Sequence, residues 1–451
     1  MDTEPTNEWI DAEARADRAH QLYEQGRWAE AAAELRAAIS VHPHNPAWHF
    51  NLALTLEAMG DYAAACQSFT LALTIDADDL ETLNCLGVNQ TRLGKYAEAL
   101  EHFRRMEEID SSYEPSYCNR IVTYMEMGDH DKAELMFYMA RQVKEECPAC
   151  YFNIGGSLYA RGLYDRAIDC WEQALRLDAN HPYANLHIAE ACWDKGDLAR
   201  ARRHYQAELQ ADEGDLDIRL DYGQLLMEMN LDAEAARQFQ AIVDRDGDNA
   251  TAYLCLGRLA WRKGKLASAA EHYRKVLQID PKFPGAHVRL AEVLLRQGSV
   301  QDAARHLVYE LRQCGNDPER LQEVGRLLLE ARQVRRANEV LRRLVRLRPC
   351  DANAQHNLAV SFFMMERLKE GIRHCRRALK LKPDYPMALY NLALAHQRLG
   401  QIPRARRYVA RALTMAPKDS NIRQLSQRLR APGFWSRLRS RLSSSSHKDQ
   451  A

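Results

Sequence analysis

Every 34 residues the same pattern of residue types returns along this chain, without an insertion or a deletion. It is plainest in 148–181, PACYFNIGGSLYARGLYDRAIDCWEQALRLDANH, where Ile154 is position 7, Gly155 position 8, Gly162 position 15, Ala167 position 20, Trp171 position 24 and Ala174 position 27. Position 15 reads Gly26, Gly60, Gly94, Gly128, Gly162, Gly196, Asn230, Gly264, Gly298, Arg332, Glu366 and Gly400. Position 20 is Ala throughout except at Gly371. Twelve repeats follow: 12–45, 46–79, 80–113, 114–147, 148–181, 182–215, 216–249, 250–283, 284–317, 318–351, 352–385 and 386–419.

One repeat reads as a helical hairpin. Apolar positions 7 and 11 (Ile154, Leu158) share one face of a first helix, and positions 20, 24 and 27 (Ala167, Trp171, Ala174) share one face of a second. Gly at position 15 can take the left-handed conformation that ends the first helix, and Asn230 tolerates it. Small residues at positions 8 and 20 let the two backbones approach; Ile121 is the exception at position 8. Pro at position 1 (Pro46, Pro148, Pro182, Pro284, Pro318, Pro386) suits a first helical turn, where no intrahelical amide partner is needed. Repeats ten and eleven depart most, with Arg332, Glu366 and Gly371. They are expected to lose caps worth roughly 1 kcal/mol each and to be the least stable stretch.

The pattern resembles the tetratricopeptide repeat family, which 46–79, 80–113 and 148–181 follow closely. The resemblance implies an all-α fold: a right-handed α-solenoid, or superhelix, of about twelve 34-residue helix-turn-helix units. First helices would line a concave groove and second helices would lie outside. Membership of such a family constrains architecture and says little about the particular partner.

A solenoid adds core one repeat at a time, so 451 residues need not split into several domains, and 12–419 reads as one extended domain. Before it stands an acidic segment, 1–11, without the basic start and apolar core of a signal peptide. After it, Ile422, Leu425 and Leu429 mark 420–431 as a capping helix, and 432–451 is a basic, Ser-rich tail carrying Phe434 and Trp435. No apolar stretch approaches the roughly 18 residues of a membrane span. The expected compartment is the cytoplasm. The eleven cysteines are scattered over unrelated repeat positions, as suits small buried fillers. One close pair, Cys147-Pro-Ala-Cys150, has spacing that permits redox chemistry or half a metal site. A zinc site would need two more ligands and no second such pair exists, so the pair reads as coincidental. His42, His44 and His49 lack helical ligand spacing. Neither a metal nor a cofactor is expected.

A net charge of zero conceals a strong segregation. Residues 1–249 carry 46 acidic and 22 basic side chains, and 250–451 carry 16 and 40. Positions that the family resemblance assigns to the groove share this polarity. Glu13, Glu24, Glu57, Glu81, Glu126, Glu190, Asp194, Asp217 and Glu228 stand in repeats one to seven against Arg92 alone, and Arg258, Arg262, Arg296, Arg326 and Arg398 in repeats eight to twelve against Glu292, Glu319 and Glu330. One sign of charge on a wall concentrates an oppositely charged ligand. Position 12 supplies Tyr159, Trp193, Met227 and Trp261, which either anchor apolar side chains of a bound peptide or pack on neighbouring first helices. Position 6 supplies Asn51, Asn119, Asn153, Asn357 and Asn391, each offering a donor and an acceptor to a peptide backbone. This is similar to the asparagine ladder of O-linked N-acetylglucosamine transferases, but Cys85, His187, Asp221, Cys255, Arg289 and Glu323 interrupt it.

No glycine-rich phosphate loop, nucleophile elbow or paired metal motif is present, so no enzyme activity is expected. The leading reading is a scaffold or adaptor that holds extended peptides or partner proteins in its groove, as a regulatory or assembly subunit. The alternative is binding of nucleic acid or anionic membrane by the basic half and tail. Nucleic acid is disfavoured because the acidic half would repel the same polyanion, and so short a tail segment would hold a membrane surface weakly. Head-to-tail self-association of acidic and basic ends is a third reading.

Overall fold

The computed structural model describes residues 7–430, and every regular element among them is an α-helix. Two compact units divide the chain, Met1–Met229 and Asn230–Ala451. In a repeat array each hairpin buries its apolar face on immediate neighbours, so the core is a series of local clusters with no common centre.

In the first unit the hairpins are α1 (Asn7–Glu24) with α2 (Trp28–Val41), α3 (Pro46–Ala58) with α4 (Tyr62–Ile75), and α5 (Leu80–Arg92) with α6 (Tyr96–Ile109). They continue with α7 (Glu114–Glu126) and α8 (His130–Val143), α9 (Pro148–Ala160) and α10 (Tyr164–Leu177), then α11 (Ala184–Lys195) and α12 (Leu198–Ala211), ending on α13 (Leu216–Glu228). The second unit opens with α14 (Asp232–Arg245), followed by α15 (Ala250–Arg262) with α16 (Leu266–Ile279), and α17 (Ala286–Arg296) with α18 (Val300–Gln313). Next come α19 (Pro318–Glu330) with α20 (Val334–Leu347), α21 (Ala352–Met364) with α22 (Leu368–Leu381), α23 (Pro386–Arg398) with α24 (Ile402–Met415), and α25 (Ser420–Arg430). The result is an all-α solenoid in which the odd-numbered helices α1 to α23 are the first helices of their repeats and α25 follows the last repeat. Helix α1 starts at Asn7, inside the stretch read as an acidic segment, and the 432–451 tail lies outside the described residues. No described helix is long and apolar enough to cross a membrane.

The turn inside each hairpin follows from position 15. Gly162 has φ +72°; its N–H donates to Tyr159 O at 2.8 Å, and the Leu163 N–H donates to Leu158 O at 2.9 Å. These bonds satisfy carbonyls that the end of α9 would otherwise leave unpaired. Arg332 (φ 53°) and Glu366 (φ 61°) make the same turn. Here the Gln333 N–H donates to Leu328 O at 2.8 Å, and the Arg367 N–H to Phe362 O at 2.9 Å. The caps expected to be lost are therefore kept, at the cost of side chains held in a left-handed conformation.

Position 8 is small because position 24 fills its space. A methyl group on Gly155 would collide with the indole of Trp171, whose Nε1–H donates to Phe152 O at 3.0 Å. Gly257 stands in the same relation to Tyr273, and Gly87 to Phe103. Where position 8 is Ile121, Phe137 packs edge-on against Tyr151, with ring centres 5.2 Å apart. Gly371 has its own reason: the Phe363 ring occupies the place a Cβ would take.

Pro46, Pro148, Pro318 and Pro386 sit in the first turn of their helices. Pro182 and Pro284 do not. Tyr183 (φ 60°) and Gly285 (φ 78°) take left-handed conformations just after them, so α11 and α17 begin only at Ala184 and Ala286. At the far end, Ile422, Leu425 and Leu429 of α25 bury against Ala405, Val409 and Ala412 of α24, which covers apolar surface that the last hairpin would leave open.

Candidate functional site

Residues about one 34-residue repeat apart lie side by side on successive first helices, and a chain of polar contacts runs across that face. In the first unit Arg92 pairs with Glu57 at 2.6 Å, the Tyr159 hydroxyl donates to Asp194 at 2.5 Å, and the Trp193 indole donates to Glu228 at 2.7 Å. In the second, the Arg296 guanidinium stacks 4.7 Å from the Trp261 ring centre, Arg326 reaches Glu292 at 3.3 Å, and Asn391 donates to His356 at 2.9 Å. The repeat period is the cause: it returns each first helix to the same face, one helix further along.

In the position-12 column, Tyr159, Trp193 and Trp261 each contact the next first helix. Trp193 and Tyr159 are half-buried with their polar tips tied to acids of the next first helix. Met227 is 7 % exposed and packs inward. Burial, and then the bond to Asp194, pushes the Tyr159 phenol above its ordinary value. Asp221 is also raised, first by burial and then by the charges of Glu190, Asp217 and Asp215. The acids at this end of the first unit thus crowd one another, a local field that favours a cation.

The arginines of the second unit differ in what holds them. Arg258 is exposed and makes no ion pair among the described residues. Arg262 lies 2.5 Å from Asn230 Oδ1 and 3.1 Å from Asp232. Arg326 pairs with Glu330 at 2.7 Å as well as with Glu292. Arg398 and Asn391 line a pocket of about 370 Å³ between α21 and α23, with Phe363, Met364 and Leu394 supplying apolar walls. A larger hollow of about 450 Å³ lies between the second helices α18 and α20, lined by Arg305, Arg312 and Arg336.

The asparagines are not equivalent either. Asn119 donates to Asn84 at 2.5 Å and Asn391 to His356, so both amides are engaged by the preceding first helix. Asn51 is exposed and lines a hollow of about 180 Å³ with His20, Tyr23 and Leu54. Asn153 and Asn357 are half-buried. His356, which sequence reasoning does not single out, lies between the Tyr385 hydroxyl (3.2 Å) and Asn391. Burial pushes its pKa down to about 4, so it sits neutral in this network.

The reading of Cys147 and Cys150 as an isolated pair is corrected. Glu114 and Cys118 of α7 meet them, and the four ligand-type atoms lie within 4.8 Å of one another. The signal was present in the repeat: position 1 of one repeat and position 34 of the same repeat end up adjacent. His49, by contrast, bonds Pro43 O at 2.8 Å, and His42 packs edge-on against Trp48.

Comparison with known proteins gives the following. Three models described as tetratricopeptide repeat match, the first over 16–79, 152–215 and 220–284, the second over 350–418 and the third over 284–308. No curated protein matches the chain. Among solved structures, the Cut9–Hcn1 hetero-tetramer of the APC/C is 13% identical at a TM-score of 0.44, covering 93% of this chain and 96% of that one. Yeast Tom70 is 15% identical at 0.38, covering 98% and 99%. A thermophilic TPR protein of Thermus thermophilus is 25% identical at 0.37, covering 41% of this chain and 100% of its own. Twelve in-phase hairpin repeats and the matching family models together lead to one conclusion: the chain belongs to the tetratricopeptide repeat family.

Proposed function

We propose that this protein is an interaction scaffold whose first-helix faces take extended segments of partner proteins, basic segments on the first unit and acidic ones on the second. One observation carries the reading: within each unit, side chains of one dominant charge are held beside aromatic rings by contacts between successive first helices. Tyr159, Trp193, Asp194 and Glu228 do this in the first unit, and Trp261 with Arg296 in the second. Fixed side chains lose little freedom when a ligand arrives, which favours binding, and a wall of one sign steers the oppositely charged ligand. The pocket beside Asn391 and Arg398 joins apolar walls to an amide, a cation and the Glu366 carboxylate, a composition that seats an apolar side chain with polar groups around it.

The test is a titration of the full chain with labelled extended peptides, one acidic and one basic. Changing Arg258, Arg296 and Arg398 together to Glu is expected to weaken the acidic peptide by about tenfold or more, equivalent to about 1.4 kcal/mol. The basic peptide should bind the variant no more weakly than the unaltered chain. Indifference of the acidic peptide to the reversal would refute the reading, and equal loss for a duplex nucleic acid of matched charge would mark the face as a general polyanion surface.

A further inference from the structure

Four side chains converge where repeat four meets repeat five. Glu114 and Cys118 stand one turn apart on α7, Cys147 is the residue before α9, and Cys150 lies in the first turn of α9. All three cysteines are buried, Cys147 at 1 % exposure and Cys150 at 0 %. Cys118 Sγ lies 3.5 Å from Cys147 Sγ and 4.0 Å from Glu114 Oε1, and Cys147 Sγ lies 2.6 Å from the same carboxylate oxygen. Cys118 and Cys150 are joined as a disulfide. That bond accounts for two of the four groups and leaves a thiol and a carboxylate pressed against it.

Two surrounding contacts orient the cluster. The Cys150 backbone N–H donates to Cys147 Sγ at 3.1 Å, so the sulfur accepts the bond that Asp79 or Asp317 oxygens accept at the same repeat position. Lys144 Nζ pairs with Glu114 Oε2 at 2.6 Å, which leaves Oε1 turned to the sulfurs and balances part of the negative charge that three thiolates and a carboxylate would gather.

We infer that, with its cysteines reduced, the chain binds one zinc ion through Cys118, Cys147, Cys150 and the Glu114 carboxylate, a closed four-ligand site that clasps α7 to α9. Zinc takes thiolate sulfur and carboxylate oxygen in tetrahedral sites, and a structural site is closed by four protein ligands. Soft thiolates in that geometry favour zinc over magnesium or calcium. The disulfide and the zinc site are alternatives, because sulfurs bonded to one another cannot both act as thiolate ligands. Reduction by a phosphine converts the Cys118–Cys150 bond to two thiols while phosphine and water become phosphine oxide; zinc then displaces three thiol protons. The role is structural: the ligands come from two repeats, so the metal ties one to the next where the turn after α8 leaves the helices to be joined.

The full chain, reduced with phosphine and stripped of metal under nitrogen, is titrated with Co²⁺ as a spectroscopic probe and then with Zn²⁺. The expected result is thiolate-to-cobalt charge transfer and intense visible bands of tetrahedral cobalt, saturating at one ion per chain and abolished by zinc. Cys118→Ser, Cys147→Ser and Cys150→Ser should each lose this spectrum, and Glu114→Gln should weaken binding by at least the roughly tenfold that a lost outer partner costs. Cys350→Ser, at an exposed thiol elsewhere, should leave it unchanged, and unreduced chain should not give it. Far-ultraviolet circular dichroism establishes that each variant is folded, and slowed amide exchange in α7 and α9 on adding zinc to unaltered chain gives a readout that needs no variant. A reduced, folded chain without the spectrum overturns the inference, as does a spectrum that survives Cys147→Ser or is indifferent to Glu114→Gln.

Discussion

At the scale of single residues, the repeat is a set of paired spatial demands, and two substitutions separate them. Gly155 leaves room for the Trp171 ring, so Gly155→Ala forces a buried indole from its place and from its bond to Phe152 O. A loss of about 1–3 kcal/mol is expected, measured by denaturant unfolding and by faster amide exchange in α9 and α10. Glu366 has the opposite problem, a side chain at φ 61° where glycine would be unstrained. Glu366→Gly is expected to stabilise repeat eleven by roughly 1 kcal/mol, seen as slower exchange across α21 and α22. No change, or a loss, would mean that the glutamate makes a compensating contact.

At the scale of helices, the junctions between repeats hold the less regular chemistry. Glu310 of α18 is among the most buried carboxylates, its side chain 2% exposed, and it pairs with Arg320 of α19, whose Nε also reaches it at 3.0 Å. Arg320→Met keeps bulk but leaves that carboxylate without its cation. A destabilisation of roughly 3–5 kcal/mol is expected, read by thermal unfolding and by exchange localised to α18 and α19; a variant as stable as the original would show that water serves the carboxylate equally well.

Much of this level is legible in the sequence. The hairpin, its turn and its small contact positions follow from glycine, alanine and apolar spacing alone, because those features act within one repeat. Effects of neighbours are harder to read. The left-handed Tyr183 and Gly285 displace two helix starts that proline alone would fix, and Phe363 on the preceding helix explains Gly371. Glu114 and Cys118 meet Cys147 and Cys150 only because the repeat brings residues of different helices, far apart in the chain, into contact. The asparagine column is visible in sequence, but that Asn119 and Asn391 are taken by Asn84 and His356 depends on side-chain geometry.

At the scale of the whole molecule, charge is the property that distinguishes this array from a generic solenoid. The acidic and basic halves are countable from the sequence, and the division between the two compact units, after Met229, falls before the sign changes at 249–250. The proposed account gives each unit its own ligand preference through the first helices. The most direct measurement places a photoreactive group on an acidic extended peptide, crosslinks it to the full chain and maps the attached residues by mass spectrometry. Crosslinks are predicted on the first helices α15, α17, α21 and α23, near Arg258, Arg296 and Arg398, fading as salt rises. Crosslinks gathered instead on the second-helix hollow beside Arg305, Arg312 and Arg336, or spread evenly over both units, would contradict it.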